Sequence, residues 1–344
     1  MSTLTRLLLV LASLPLGPLV VMADELPKDT NKITSLTVEE AKRLVKEFKG
    51  HDLSLNGLTT LDADTAKELA WFKNESLRLN GLTTLDMDTA RTLATFECYR
   101  LFLDGLTTLD AATAKALAEF TGETLSLNGA TSLDADTAKA LAKYKGLLQL
   151  NGLTKVGVPT AKAIAASTAS AIHLGGLTAL DAPTAEALSE VEGELGLGLN
   201  TLDAATAKAI ANWKCVALSL DGLTTLDADV AKALAAFKGN WLFLGGLTKL
   251  DADAAKALAE FKGQDLRLDG LTTLDADTAK ALAAFKGKWL CLNGLAKIDA
   301  STAKLLAAFK GNGLYLHNLT TLSDEAEAAL RSNPAIVLPD NVRP

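Results

Sequence analysis

The chain has little of what most chemistry requires. Among 344 residues there are 3 Cys and 3 His. Three cysteines do not make a disulfide-dense scaffold, and three histidines do not make a rich catalytic or metal centre. No nucleophile elbow, Gly-rich phosphate loop, His-Glu-x-x-His or Cys-x-x-Cys motif occurs. An enzyme is therefore not expected, nor a cofactor, nor a metal site. Basic residues are outnumbered, 34 Lys and Arg against 41 Asp and Glu, for a net charge of −7. Nucleic-acid binding needs a basic footprint, so no nucleic-acid partner is expected. Aromatics are 5% of the chain, which leaves Leu and Ala to supply most of its 49% hydrophobic content. Disorder combines low hydrophobicity with high net charge, and that combination is missing. No Pro-, Ser- or Gly-rich linker divides the chain.

Residues 1–23 stand apart. Arg6 is the only charge before Asp24, and the apolar stretch from Leu7 to Val21 is broken by Pro15, Gly17 and Pro18. It closes with Val21-Met22-Ala23, the pattern of a secretory signal peptide. A spanning helix needs about 20 apolar residues without such breaks, and nothing later resembles a membrane span. The expected location is extracytoplasmic: secreted, periplasmic or cell-surface.

What is present is one phrase written twelve times. Leu53-Ser54-Leu55-Asn56-Gly57-Leu58-Thr59-Thr60-Leu61-Asp62 opens the first unit. Its equivalents start at Leu77, Leu101, Leu125, Leu148, Ile172, Leu195, Leu218, Leu242, Leu266, Leu290 and Leu314, a period of 23 or 24 residues. A fixed period of this size marks a solenoid. Leu-x-Leu alternates with period two and predicts a strand with both Leu side chains on one face. Asn-Gly or Asp-Gly then predicts a turn in which Gly supplies positive φ, with Asn318 as the substitute in the last unit. Leu-Thr-Thr-Leu predicts a second short extended segment. Asp62 and its equivalents predict helix N-caps, and Ala66, Leu69, Ala70 and Phe72 form an apolar stripe at helical spacing. Gly122, Gly146 and Gly239 are expected to end their helices, and Lys238, Lys262 and Lys286 to complement the negative helix ends.

Stacking aligns like residues. Phe48, Phe72, Phe96, Phe120, Tyr144, Trp213, Phe237, Phe261, Phe285 and Phe309 form an aromatic ladder, which fails at Ser167 and is reduced at Val191. The same region loses its cap Asp at Gly157 and gains Pro159 and Pro183, so 148–217 is expected to be irregular. The expected organisation is a signal peptide at 1–23 and a half-repeat N-terminal cap at 24–52. The solenoid follows at 53–335, with a closing strand and tail at 336–344. Strands sit about 4.8 Å apart and packed helices about 8–10 Å, so the stack must bend with the sheet on the concave side. The fold class is α/β, a curved right-handed solenoid of twelve strand-helix repeats.

Leu-x-Leu-x-Gly-Leu-Thr-x-Leu-Asp with a helix and this period resembles the leucine-rich repeats, most closely the secreted bacterial BspA-like type. Here a longer helix replaces the short Ala-Phe-x-x-Cys stretch of that type. The position of the usual leucine-rich-repeat Asn is held by Leu58 and its equivalents, so an inward Asn ladder is not expected. The resemblance implies a curved binding scaffold and no catalytic activity.

Outward strand positions line the concave face. In units nine to twelve they carry Trp241, Phe243, Asp265, Arg267, Trp289, Cys291, Tyr315 and His317. Clustered rings with an Arg among them match the composition of binding hot spots. Trp241, Phe243, Asp265, Arg267, Trp289, Tyr315 and His317 are therefore the ligand-binding candidates, for a protein or a glycan partner. Arg78, Arg100 and Phe102 form a weaker second patch. The competing reading is that the rings stack on cross-strand neighbours and cover the C-terminal end. Asp-x-Asp pairs such as Asp62/Asp64 and Asp275/Asp277 would suit a hard cation, but helix capping and the helix dipole explain both positions. Cys98, Cys215 and Cys291 lie in units two, seven and eleven, too far apart to bridge, and are expected as free thiols. Besides a binding scaffold, the alternatives are a structural or self-assembling envelope component and an enzyme with an unrecognised site.

Overall fold

The structure, a computed structural model, describes residues 27–73 and 75–340; the signal-peptide segment 1–23 lies outside them. Among the described residues, thirteen parallel strands form one open curved sheet, from Asp52–Ser54 to Ile336–Val337. Their order in the sheet is their order in the chain, so each strand pairs only with its sequence neighbours. Helices of six to ten residues alternate with the strands and pack on the helices next to them. The architecture is an α/β solenoid of stacked strand-helix units.

Each of the first twelve strands is three or four residues long and built around the first Leu of the phrase or its Ile172 equivalent, and the last, Ile336–Val337, has two residues. Leu53 pairs with Leu77, Leu77 with Leu101, and so on through Leu290 with Leu314. Leu53, Leu55 and Leu58 are fully buried, as are Leu77, Leu79 and Leu82 in the next unit. Burying each such Leu contributes roughly 1.5–3 kcal/mol, and the leucines of successive units belong to one continuous core. A single unit therefore has no core of its own.

The helix starts follow the sequence. Asp62 Oδ1 accepts from the Thr65 N–H at 2.8 Å, and Asp134, Asp251 and Asp299 do the same for the residue three on. Buried Thr89 and Thr278 also donate to the carbonyls of Leu61 and Leu250 in the preceding unit, joining neighbouring units. Gly157 offers no side-chain cap, as expected, and Pro159 stands in the first turn.

Three expectations are corrected. First, Leu-Thr-Thr-Leu forms no strand; after Leu58 enters the core the chain leaves the sheet, and a lone bridge from Lys297 to Thr321 marks the segment. Second, no described glycine has positive φ, and neither does Asn318. Leu55 to Leu58 is a turn closed by the Leu58 N–H on the Leu55 carbonyl at 3.0 Å, and a turn with negative φ at both central residues tolerates most residue types. Glycine is required by crowding instead. A Cβ on Gly81 would lie under 3.0 Å from the carbonyl oxygens of Asn56 and Leu58, and one on Gly105 equally close to those of Asn80 and Leu82. Each turn rests directly on the backbone of the turn before it.

Third, Gly122, Gly146 and Gly239 do not end helices. The helix Ala111–Leu117 closes at Ala118, well before Gly122. Gly122 makes room for the ring of Phe120, which folds back over it, and Gly239 does so for Phe237 and Gly146 for Tyr144. The slot two residues after the ladder aromatic thus admits little side chain. Cys98 and Cys215 occupy it in units two and seven and are buried, where desolvation pushes their thiols up to about 11 and about 12. Lys286 lies beyond the C-cap Ala284, and its ammonium pairs with Glu260 of the preceding unit.

The aromatic ladder itself is present and largely buried. Phe237, Phe261 and Phe285 stack at centroid distances of 6.2 and 6.4 Å, and Phe120 stacks on Tyr144 at 6.3 Å. Where Ser167 replaces the ring, a cavity of about 10 Å³ remains among Leu141, Leu148, Ile164 and Ile172. Trp213 resumes the ladder, its indole N–H donating to the Ala185 carbonyl at 2.8 Å.

Leu58 and its equivalents form no polar ladder, as expected, but a different one runs beside them. The Oδ1 of Asn56 accepts the Asn80 N–H, that of Asn80 accepts Asp104, that of Asp104 accepts Asn128, and that of Asn128 accepts Asn151. It lapses after Asn151 bonds the Gly175 N–H, because Gly175 has no side chain to pass it on. At the C-terminal end Ile336–Val337 pairs with Gly313–Tyr315, and Leu338 falls outside the strand.

Candidate functional site

The strands of units nine to twelve bring the sequence candidates into one patch. Trp241 stands opposite Asp265, and Asp265 opposite Trp289; one step along, Phe243 stands opposite Arg267, Arg267 opposite Cys291, and Cys291 opposite Tyr315. In-register parallel pairing places these side chains one strand spacing apart, about 4.8 Å.

Asp265 is not a surface group. It is 6% exposed between the two tryptophans. Its Oδ2 accepts from Arg267 Nε and Nη2 at 3.3 and 3.4 Å, and its Oδ1 lies 3.9 Å from the Cys291 thiol. Burial raises the Asp265 pKa, and the Arg267 guanidinium works against that rise. Cys291 is pushed up to about 12, by burial first and then by the Asp265 charge, so it is a poor nucleophile. Asp265 fixes Arg267, whose guanidinium carbon sits 4.9 Å from the Phe243 ring centroid.

Around this pair the rings remain accessible. Trp241 is 39% exposed, one of the few large apolar side chains so placed. Phe243, Trp289 and Tyr315 are half-buried, and Arg267 and His317 are exposed. Lys288 Nζ lies 5.6 Å from the Trp289 ring, and the Tyr315 and His317 rings are 5.4 Å apart. The result is an apolar strip holding a cation oriented by a buried carboxylate.

The second patch is smaller. Arg78 lies 4.0 Å over the Phe102 ring, and Arg100 is exposed beside it. Among the described residues no three His, Cys, Asp or Glu side chains are grouped to hold a metal ion, and no helix is long and apolar enough to cross a membrane.

One feature escapes the sequence reading. Between the two patches the concave face carries a depression of about 360 Å³, bordered by His173, Glu194, Ser219, Asp221 and Phe243. His173 Nε2 is 3.4 Å from Glu194 Oε1, and that contact holds the Glu194 carboxyl below the usual range. The available signals were the outward Gly196 and the one-residue deletion before Gly198, both inside the irregular segment.

No family model matches the chain, and no curated protein matches its sequence. Solved leucine-rich-repeat structures are similar in fold. An internalin from Listeria monocytogenes is 14% identical, with 93% of this chain and 99% of that chain covered and a TM-score of 0.47. The structure of the Toll–Spatzle complex from Drosophila is 15% identical over 84% of this chain and 42% of that chain, with a TM-score of 0.48. A TLR13–ssRNA13 complex is 16% identical over 85% of this chain and 38% of that chain, with a TM-score of 0.45.

Proposed function

We propose that the chain is a secreted, non-catalytic repeat scaffold of the BspA-like kind that binds a protein or glycan partner through its concave face, in an extracytoplasmic location. The observation that carries this reading is the strip of Trp241, Phe243, Trp289 and Tyr315 around Arg267. A rigid sheet displays these rings at fixed spacing, so little side-chain entropy is lost on contact. Arg267 is already held by Asp265 in one orientation, which lowers the cost of ordering it further. Aromatic and Arg side chains of this kind dominate binding energy where they are found in interfaces. Caps at 24–52 and 336–344 would close the array at either end.

The test is capture from an envelope extract with the array from residue 24 onward. Trp241→Ala/Trp289→Ala should remove the captured partner while leaving the circular dichroism spectrum and melting unchanged. Capture that persists in the double variant contradicts the reading. Self-association of the wild-type array in sedimentation, with no other partner retained, favours the structural-envelope alternative.

A further inference from the structure

The depression at the centre of the concave face lies where several repeat rules lapse together. The outward row that carries Phe102, Phe243 and Arg267 elsewhere has Gly196 in unit seven. The Asn ladder lapses at Gly175 and resumes only where Asp221 accepts the Gly245 N–H, and unit seven between them lacks the ladder residue altogether, so that Gly198 follows Leu197 directly. Local rules that fail together are expected at functional sites.

The lapses leave a floor of small residues with walls of a particular kind. On one side stands Phe243. Arg267 lies against it from unit ten, while its neighbour towards the depression is the small Ser219. On the other side His173 leans over Gly196 and pairs with Glu194. Asp221 completes the edge, its Oδ2 accepting the Ser219 hydroxyl at 2.7 Å and its Oδ1 the Gly245 N–H at 2.6 Å.

Both carboxylates are already partnered, Glu194 by His173 and Asp221 by two donors. Each keeps further acceptor positions, and among the described residues no three His, Cys, Asp or Glu side chains come together as they would to hold a metal ion. An aromatic ring on one wall, with the Asp221 carboxylate in the unit beside it and the Glu194 carboxylate one unit further on, suits a molecule with apolar C–H faces and a rim of hydroxyls. The volume lies at the lower end of small-molecule sites, about 300–1,000 Å³.

We infer that this depression is a carbohydrate subsite that seats one pyranose ring, its C–H face on Phe243 and its hydroxyls on Asp221 and Glu194. This rests on the reading of the concave face as a binding surface and places the glycan beside the aromatic strip, sharing Phe243 with it but neither tryptophan.

The test uses methyl glycosides of glucose, galactose, mannose and N-acetylglucosamine and their short oligomers, screened by saturation-transfer NMR and ranked by calorimetry. Ser219→Phe puts into the depression a ring that the same row already carries at Phe102 and Phe243, so the fold should tolerate it. Asp221→Asn keeps the acceptor for the Gly245 N–H, as Asn56, Asn80, Asn128 and Asn151 do in their units, and removes the carboxylate. At least one glycoside should bind the wild type, at least tenfold more weakly after Ser219→Phe and measurably more weakly after Asp221→Asn. It should bind unchanged to Trp241→Ala/Trp289→Ala. No binding by any glycoside, or undiminished binding after Ser219→Phe with the protein folded, overturns the inference. If sugar binding is lost only in the tryptophan variant, the subsite is wrong and the broader reading stands. If neither sugar nor any other partner depends on the concave face, both fail.

Discussion

Replacing Gly105 by Ala tests the packing logic of the array. With φ negative, an L-residue meets no backbone penalty there. The obstacle is the added Cβ, which would lie under 3.0 Å from both the Asn80 and Leu82 carbonyl oxygens, where ordinary contact is 3.4–4 Å. Neither oxygen can swing aside as a side chain would. The turn must lift, and lifting it loosens the Asp104 N–H bond to Asn80 at 3.0 Å and the Asn128 N–H bond to Asp104 at 2.9 Å. Overpacking costs about 1–3 kcal/mol, and each weakened bond up to about 0.5–1.5 kcal/mol. The lower chain entropy of Ala in the unfolded state returns about 0.4–1 kcal/mol. The expected net loss is about 2–3 kcal/mol, read as a lower urea midpoint at unchanged slope. Gly105→Asn should be at least as damaging, because it carries the same Cβ. If Asn were well tolerated while Ala was not, positive φ would be the reason for glycine and the crowding argument would be wrong. Gly157 is the internal control. It has open space, with nothing nearer to an added Cβ than Pro159 Cδ at 3.9 Å, and it lacks a side-chain cap. Gly157→Asp should therefore stabilise, by about 0.5–1 kcal/mol.

Other outcomes follow from the same contacts. Phe261→Ala removes a ring stacked on both sides and should cost about 3–5 kcal/mol, measured by urea unfolding followed in the far ultraviolet. Cys98, Cys215 and Cys291, with thiols pushed up to about 11, 12 and 12, should not react with a disulfide reagent at pH 8 until the protein unfolds; fast labelling of the native protein would contradict their burial. The cap aspartates Asp86, Asp134, Asp181, Asp203, Asp275 and Asp299 all have lowered pKa values, through bonds from the backbone and side chain of residues just after them. Their contribution to stability is complete above the ordinary aspartate value, about 3.9, and is lost as pH falls through the lowered folded values. Thermal melts should accordingly drop steeply on acidification below about pH 4. A flat profile there would count against the caps.

The repeat period, the cap aspartates, the buried Leu face and the aromatic ladder were legible because each depends on residue type at fixed spacing. The role of glycine was not. The sequence shows that residues 57, 81 and 105 must be small, but crowding and positive φ leave the same mark in a single chain. Only the oxygens of the preceding turn, about 24 residues away, separate the two. Asp265 was legible as a member of the concave patch but not as a buried one, since its burial comes from Trp241 and Trp289 on neighbouring strands. The central depression was hardest to see. It arises from missing side chains at Gly175, Gly196 and Gly198, and an absence shows as a cavity only after the units are stacked.

The central claim is that the tryptophan strip of the concave face captures a partner. Its most direct test is the affinity of the captured partner for immobilised wild type, Trp241→Ala/Trp289→Ala and Trp71→Ala. Trp71 is 70% exposed outside the strands and serves as the control. Hot-spot residues each contribute about 2 kcal/mol or more, so the double variant should bind at least tenfold more weakly while Trp71→Ala binds like the wild type. Equal affinity across all three proteins, each with an unchanged melting curve, would contradict the account.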